Sequence, residues 1–256
     1  MITIQCWEEV LLNSINDYLS IIILAAGKGT RMESDLPKVL HEINGKPMLD
    51  QVINIGEELN PKKIVVVIGY KYELLKNHLK SRNVKLAYQL HQKGTGHAVM
   101  QTKSFFENYK GNILILSGDV PLLTKSTLEK LHNHHIQNQA YATVLTAELE
   151  DATGYGRIIK NSIGNLKKIV EHKDATDEEK KVNEINSGIY VFNAEHLFSE
   201  LPNLNNNNNQ NEYYLPDVLV RFLNQNKKVS LLKTKKNIEI QGVNNKQQLQ
   251  KLNEKT

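Results

Sequence analysis

The chain has 256 residues, 40% hydrophobic and 23% charged, enough apolar material for a core in one large domain or two small ones. Its 32 basic and 28 acidic residues leave a net charge of +4 spread along the chain with few aromatics, so no nucleic-acid partner is expected. Cys6 is the single cysteine, which excludes an intrachain disulfide or a cysteine zinc site, and no apolar run nears the roughly 20 residues needed to span a bilayer.

The first twenty residues, MITIQCWEEVLLNSINDYLS, lack a basic start and carry Glu8 and Glu9, so they do not read as a signal peptide. Trp7, Val10, Leu11, Ile15, Tyr18 and Leu19 stand at helical spacing and predict a helical extension over 1–20, packed on the adjoining domain. From residue 21 onward the chain alternates continuous Ile/Val/Leu runs (IIILAA, KIVVVIG, VKLAYQ, NILILSG, YATVLTAEL) with helical patterns such as MLDQVINIGEEL, YELLKNHL, GHAVMQTKSFFE and TLEKLHNHHIQNQ. That texture predicts an α/β fold, Rossmann-like, with a mostly parallel sheet and helices on both faces. The histidines of HNHH at 132–135 read as surface groups on a polar helical pattern.

The first strand breaks into GKGTRM. The spacing is not a P-loop, and Met32 stands where a dinucleotide fingerprint needs its third glycine. What remains is a glycine-bearing turn whose N–H groups can face phosphate oxygens while Arg31 adds a bidentate cation. In SDLPKVL, Pro37 fixes the backbone before Lys38, and the apolar pair Val39 and Leu40 anchors the chain just after it, so the lysine is either an ordinary surface lysine or, near a phosphate loop, a group that neutralises charge on a transferring phosphorus.

In QLHQKGTGHAVM, Gln89 can offer donor and acceptor together to a base edge, and Gly94-Thr95-Gly96 opens a helix against it. His97, where that helix begins, reads as a structural hydrogen-bonding group. LSGDVPLL ends a buried strand with Gly118 and Asp119, a hard-cation ligand or a turn-initiating aspartate. After about Asp151 the strand candidates YGRIIKN, LKKIVEHKD and EINSGIYVFN are shorter and more polar, predicting a small antiparallel excursion before the helix YYLPDVLVRFLNQN. The tract NLNNNNNQN at 203–211 predicts a mobile surface loop. NKKVSLLKTKK is a strand-like core between solvated lysines. IEIQGVNN predicts a strand and a turn before the final helix KQQLQKLNEK, with Asn244 either a second metal ligand or that helix's N-cap.

In order along the chain, LAAGKGTRM, LPKVL, GTGHAV, GDVPL, GYGRI, VEHKDA, EINSGIY and GVNN resemble the uridyltransferase (pyrophosphorylase) half of the bifunctional bacterial N-acetylglucosamine-1-phosphate uridyltransferases, within the sugar nucleotidyltransferases. LAAGKGTRM is shared widely among such enzymes, whereas GTGHAV together with GYGRI and EINSGIY is narrower. The resemblance runs from about Ile21 to Asn245 and implies a nucleotidyltransferase domain over 21–256. The implied reaction joins UTP and N-acetylglucosamine 1-phosphate into UDP-N-acetylglucosamine, a cell-envelope precursor, and pyrophosphate.

By motif, the resemblance implies that Leu24, Ala25, Ala26 and Gly27 line the nucleotide, Gly29, Thr30 and Arg31 the phosphates, with Lys38 at the reacting phosphates. It implies that Gln89, Gly94 and Thr95 read uracil beside Gly118, that Asp119 and Asn244 hold Mg2+, and that Gly156, Glu171 and Asn186 hold the amino sugar. It also implies a cytoplasmic enzyme with small-molecule substrates, no membrane and no partner protein evident. Two departures stand out. Ser117 occupies a position where the family often has Tyr, and no hexapeptide repeat of a left-handed β-helix precedes Thr256, so neither an acetyltransferase nor a β-helix trimer is expected. The rival expectations are transfer to another sugar 1-phosphate and a non-catalytic UDP-sugar-binding relative.

Overall fold

In the computed structural model, which describes residues 19–255, the apolar runs are strands and the amphipathic stretches between them helices. The helical extension expected over 1–20 lies outside the described residues, except that Leu19 and Ser20 open the first strand, β1 (Leu19–Ala25). A 3-10 turn at Lys38–Leu40 and a short hairpin, β2 (Glu42–Ile43) with β3 (Lys46–Pro47), lead to α1 (Met48–Glu57). Next come β4 (Ile64–Ile68), α2 (Tyr72–His78), β5 (Lys85–Tyr88), α3 (Thr95–Met100), β6 (Asn112–Ser117), α4 (Lys125–Gln137) and β7 (Ala142–Glu148). The second half supplies β8 (Gly156–Lys160), β9 (Leu166–Val170), α5 (Asp177–Lys180), β10 (Glu184–Asn193), α6 (Ala194–Glu200), α7 (Asp217–Asn224), β11 (Val229–Lys233) and α8 (Lys246–Lys255).

The sheet runs β11-β7-β10-β6-β1-β4-β5. β1 pairs in parallel with β4 and β6, and β4 with β5, so four carboxyl ends open on one edge. β10 lies antiparallel between β6 and β7, and it also carries the antiparallel β8–β9 pair, which is the excursion expected after Asp151.

β1 shows why Ile21 to Ala25 are apolar without alternation. Ile21, Ile23 and Ala25 face a core built with α1, α2 and α4, through Leu49, Val52, Leu75, Leu128 and Leu131. Ile22 faces the opposite core, built with α3, α6 and α7 through Val99, Leu197, Leu219 and Phe222. A parallel strand covered on both sides buries every residue, at roughly 1.5–3 kcal/mol for each large side chain. A third, smaller cluster of Met32, Ile43, Met48, Val243 and Leu252 ties the loop after β1 to the hairpin and to α8. Among the described residues no helix is long and apolar enough to cross a membrane.

Three expectations change. The segment expected as a strand in IEIQGVNN is a 3-10 turn at Asn237–Ile240. The ladder beside β7 is already occupied by β11, and the last bond, Thr234 N–H to Thr146 O, spans 2.8 Å. Glu239 then pins the turn by accepting from Thr124 Oγ1 at 3.2 Å and pairing with Lys236 Nζ at 2.9 Å. The asparagine tract is held by bonds rather than free: Asn209 donates from its N–H to Asp174 Oδ1 at 2.9 Å and from Nδ2 to Lys173 O at 2.8 Å.

His132 and His135, expected at the surface, are buried. They continue the stripe Leu128, Leu131, His132, His135, an i, i+3, i+4, i+7 pattern that faces the sheet. His135 Nδ1 meets Thr143 Oγ1 at 3.0 Å and His132 Nε2 meets Asn112 at 3.3 Å. Burial lowers the pKa of His132 to about 4, and burial with the neighbouring His132 and His134 lowers that of His135 to about 3.

Native pKa values below the unfolded value of about 6.5 mean that the unfolded chain takes up these protons first. Their contribution is therefore complete above about pH 6.5 and is lost as the pH falls toward 4. His135→Gln should show a shallower fall of the urea-unfolding midpoint between pH 6.5 and 4, at a cost of about 1–2 kcal/mol at pH 7 for the disturbed Thr143 bond.

Candidate active site

The turn after β1 starts where the sheet's carboxyl edge opens. Gly118 N–H donates to Leu24 O at 2.9 Å and Tyr70 N–H to Ala26 O at 3.0 Å, so the ends of β1, β4 and β6 are locked together. Gly29 adopts φ 59°, and a Cβ there would stand 2.5 Å from Lys38 Cβ. The glycine loop therefore lies directly on the stem of Lys38. Lys28, Thr30 and Arg31 are exposed at the rim, and Arg31 stands outside the lining of the adjoining cavity.

That cavity, about 260 Å³, is walled by Leu24 to Gly27 on one side and by Gln89, Gly94 and Thr95 on the other. Gln89 is buried, and its Nε2 donates to Gly94 O at 2.9 Å and to His97 Nδ1 at 3.0 Å. The donor half of the amide is thus spent inside the protein, which leaves Oε1 as the group to meet a ligand. His97 keeps a neutral ring that can accept this bond: burial, then Lys93 and His91, hold its pKa below the usual value. The structural part expected of His97 is the one it plays. Thr95 Oγ1 accepts from Leu215 N–H at 3.1 Å. Gly94 has φ 97°, and a Cβ there would meet Tyr213 O at 2.6 Å.

At the mouth of the cavity, residues far apart in sequence converge on one ammonium. Lys38 Nζ pairs with Asp119 Oδ2 and donates to Asn244 Oδ1 at 3.1 Å. Val243 N–H donates to Asp119 O at 3.0 Å, which holds the two oxygen-bearing loops side by side. The alternative of Asn244 as helix cap falls to its neighbour: Asn245 Oδ1 accepts from Gln248 N–H at 2.8 Å. Asp119 and Asn244 therefore present a carboxylate and a carboxamide oxygen to one cationic position, with a cation already seated there. Among the described residues no group of three or more His, Cys, Asp or Glu could hold a metal ion.

A second cavity, about 170 Å³, adjoins the first and shares Leu24, Thr95 and Ser117 with it. Gly156, Glu171 and Asn186 line it. Gly156 lies opposite Asn186 across the β8–β10 ladder, and a Cβ on it would press to 3.3 Å from Glu171 Oε1. Asn186 is already oriented, with Nδ2 donating to Tyr190 Oη at 2.6 Å and Oδ1 accepting from Gly188 N–H at 3.2 Å. Burial first, then the carboxylates of Asp174, Asp217 and Glu212, raises the Glu171 pKa to about 7.

Several residues of these walls were not singled out in the sequence, although all but Glu212 lie inside the quoted motifs. Gln92 and Glu212 line the first cavity, and Tyr155, Ser187 and Tyr190 the second. Gly69 closes on the first cavity from β4, since a Cβ would stand 2.5 Å from Gln89 O and 2.9 Å from Ala26 Cβ. The glycine ending KIVVVIG at the carboxyl end of a parallel strand was the available signal. Gly118 acts in the same way, as a close joint between β1 and β6, with Leu24 O 3.2 Å from a Cβ at that position.

Residues 20–237 match the family model described as nucleotidyl transferase. The chain is 47% identical over 232 residues to the bifunctional protein GlmU of Clostridium botulinum, covering 91% of this chain and 50% of that protein. It is 48% identical over 225 residues to the bifunctional protein GlmU of Halalkalibacterium halodurans, covering 88% of this chain and 49% of the relative. The chain thus spans about half the length of these curated relatives.

Gly94→Ala should cost about 1–3 kcal/mol of stability in urea melts, from the left-handed backbone and the collision with Tyr213 O. For Glu171 the native pKa lies above the unfolded value, so its neutral form stabilises the fold below about pH 4.5 and that contribution is lost as the pH rises through 7. Ligand-free Glu171→Gln should therefore melt higher than the parent at pH 8, by roughly 1–3 kcal/mol, with the two converging near pH 5.

Proposed function

The chain belongs to the nucleotidyl transferase family, and we propose that it transfers UMP from UTP to N-acetylglucosamine 1-phosphate, releasing pyrophosphate. The observation that carries this reading is the pair of cavities meeting at Leu24, Thr95 and Ser117, with Lys38, Asp119 and Asn244 beside the junction. A reaction joining a nucleotide to a second phosphorylated group needs two adjoining sites with cationic charge near their contact.

In this reading the base faces Gln89, whose Oε1 accepts the N3–H of uracil. Cytosine carries a lone pair at that ring position and would be repelled. Gly94 and Thr95 meet the base through their backbone, because the Thr95 hydroxyl is turned to Leu215. Leu24 to Gly27 flank the nucleotide, Gly29 to Arg31 take the outer phosphates, and Gly156, Glu171 and Asn186 hold the amino sugar.

An oxygen of the sugar phosphate attacks the α-phosphorus of UTP. The new P–O bond forms as the bond to the bridging oxygen breaks, and pyrophosphate leaves with the electron pair. No side chain acts as nucleophile, so Lys38 and Arg31 contribute by orienting the phosphates and offsetting charge on them. Asp119 and Asn244 would hold Mg2+, which supplies further charge neutralisation when bound. The substrates assign the activity to the cytoplasm and the product to amino-sugar precursors of the cell envelope.

Pyrophosphate release from a matrix of nucleotides and sugar 1-phosphates tests the reading. UTP with N-acetylglucosamine 1-phosphate should be preferred by about tenfold or more, the scale of one well-placed polar contact. Equal rates with glucose 1-phosphate would overturn the sugar assignment, and tight UDP-N-acetylglucosamine binding without turnover would mark a non-catalytic relative. Asp119→Ala should lower kcat by about 10³-fold, as for loss of a transition-state electrostatic group; near-normal turnover with magnesium present would overturn the metal assignment.

A further inference from the structure

The oxygens best suited to a divalent cation are not free to receive one. Lys38 Nζ is ion-paired with Asp119 Oδ2 and lies 3.1 Å from Asn244 Oδ1, with both charged side chains largely withdrawn from solvent. An ammonium and a divalent ion cannot occupy adjacent positions on the same two oxygens without strong repulsion where solvent screens so little. The backbone of Lys38 offers no way out. It opens a 3-10 turn in which Leu40 N–H bonds Pro37 O at 2.9 Å, and the next two side chains, Val39 and Leu40, are buried. What can move is the four-carbon stem. That stem lies against Gly29, in the loop that also carries the exposed Arg31.

We propose that Lys38 is an internal stand-in cation that holds the Asp119–Asn244 pair in the nucleotide-free protein and blocks metal entry until a triphosphate draws its ammonium away. This rests on the reading of Asp119 and Asn244 as metal ligands. A triphosphate on the glycine loop brings several negative oxygens close to the stem of Lys38. The ammonium exchanges one carboxylate partner for phosphate, and the vacated oxygens accept the metal. Metal and nucleotide then bind with positive coupling, each raising the affinity for the other by the same factor. The arrangement keeps a carboxylate from being left unpaired at any stage, which matters because an uncompensated charge in a partly buried position is costly. It also means that Lys38 has two posts. It serves as counter-ion to Asp119 when the site is empty and as phosphate ligand when it is filled.

The test is Mn2+ binding to the full chain without nucleotide, followed by electron paramagnetic resonance, so that no turnover is involved. Lys38→Met keeps the stem and removes the charge, and Lys38→Gln serves as a second variant should Met disturb folding, with circular dichroism confirming the fold of each. The parent protein should bind Mn2+ weakly and the Lys38 variants about tenfold or more tightly, within the usual range of coupling between sites. Mn2+ should also raise the melting temperature of the variants more than that of the parent. Adding Asp119→Ala to Lys38→Met should abolish the gain. Equal Mn2+ affinity in parent and Lys38 variants overturns the proposal, and the metal assignment survives that result if Asp119→Ala weakens binding in both. A gain that persists in the Lys38→Met, Asp119→Ala double variant overturns the metal assignment itself.

Discussion

β1 is hydrogen-bonded to a parallel neighbour on each side and covered by helices on both faces, and the rest of the molecule is arranged around that constraint. A strand so enclosed is apolar from Ile21 to Ala25, with Ser20 its one buried polar residue, and its reactive groups can appear only where it leaves the sheet. It leaves at Ala25 and Ala26, beside the ends of β4 and β6. The same geometry that demands IIILAA therefore delivers the glycine loop, Gly69 and Ser117–Asp119 to one edge. Burial and site formation are two consequences of one pairing scheme.

A second layer of organisation joins the first half of the chain to its last turn. Met32, Ile43 and Met48 share a small apolar cluster with Val243 and Leu252, so the glycine loop, the hairpin and α8 are packed as one unit. Val243 bonds Asp119 through its backbone, and Asn244 next to it reaches Lys38. Apolar packing thus sets the distance at which a lysine, an aspartate and an asparagine meet. The polar contacts alone would be too weak to bring such distant segments together, since taking an ion pair out of water costs about as much as its attraction returns.

The second cavity is formed at a cost in stability. Glu171 is enclosed beside Asp174, Asp217 and Glu212, an environment that raises its pKa to about 7 and disfavours its ionised form. Asn186 is braced by Tyr190 and Gly188 before any ligand arrives. The bonded asparagine tract supports the same wall through Lys173 and Asp174. A preformed polar cavity of this kind spares a ligand the entropy of ordering its walls.

The strands, most helices and the antiparallel excursion were legible because period and apolar content reflect burial directly, and the turn residues mark where each element stops. The exceptions have specific causes. HNHH looked like surface because histidine is polar, although its spacing with Leu128 and Leu131 already marked an inward face; the partners that satisfy it, Thr143 and Asn112, are distant in sequence. The strand expected at Ile238 failed because the place beside β7 was already taken by β11.

By itself the sequence determined the parallel core and the glycine turn that follows β1, since unbroken apolar runs and turn residues report burial and strand ends directly. Only the tertiary structure decided that Asn245 rather than Asn244 caps α8, that the Gln89 donor is spent on Gly94 and His97, and that Lys38 sits between Asp119 and Asn244. Those outcomes depend on which side chains compete for the same partner once distant segments have packed, and a one-dimensional pattern carries no information about that competition.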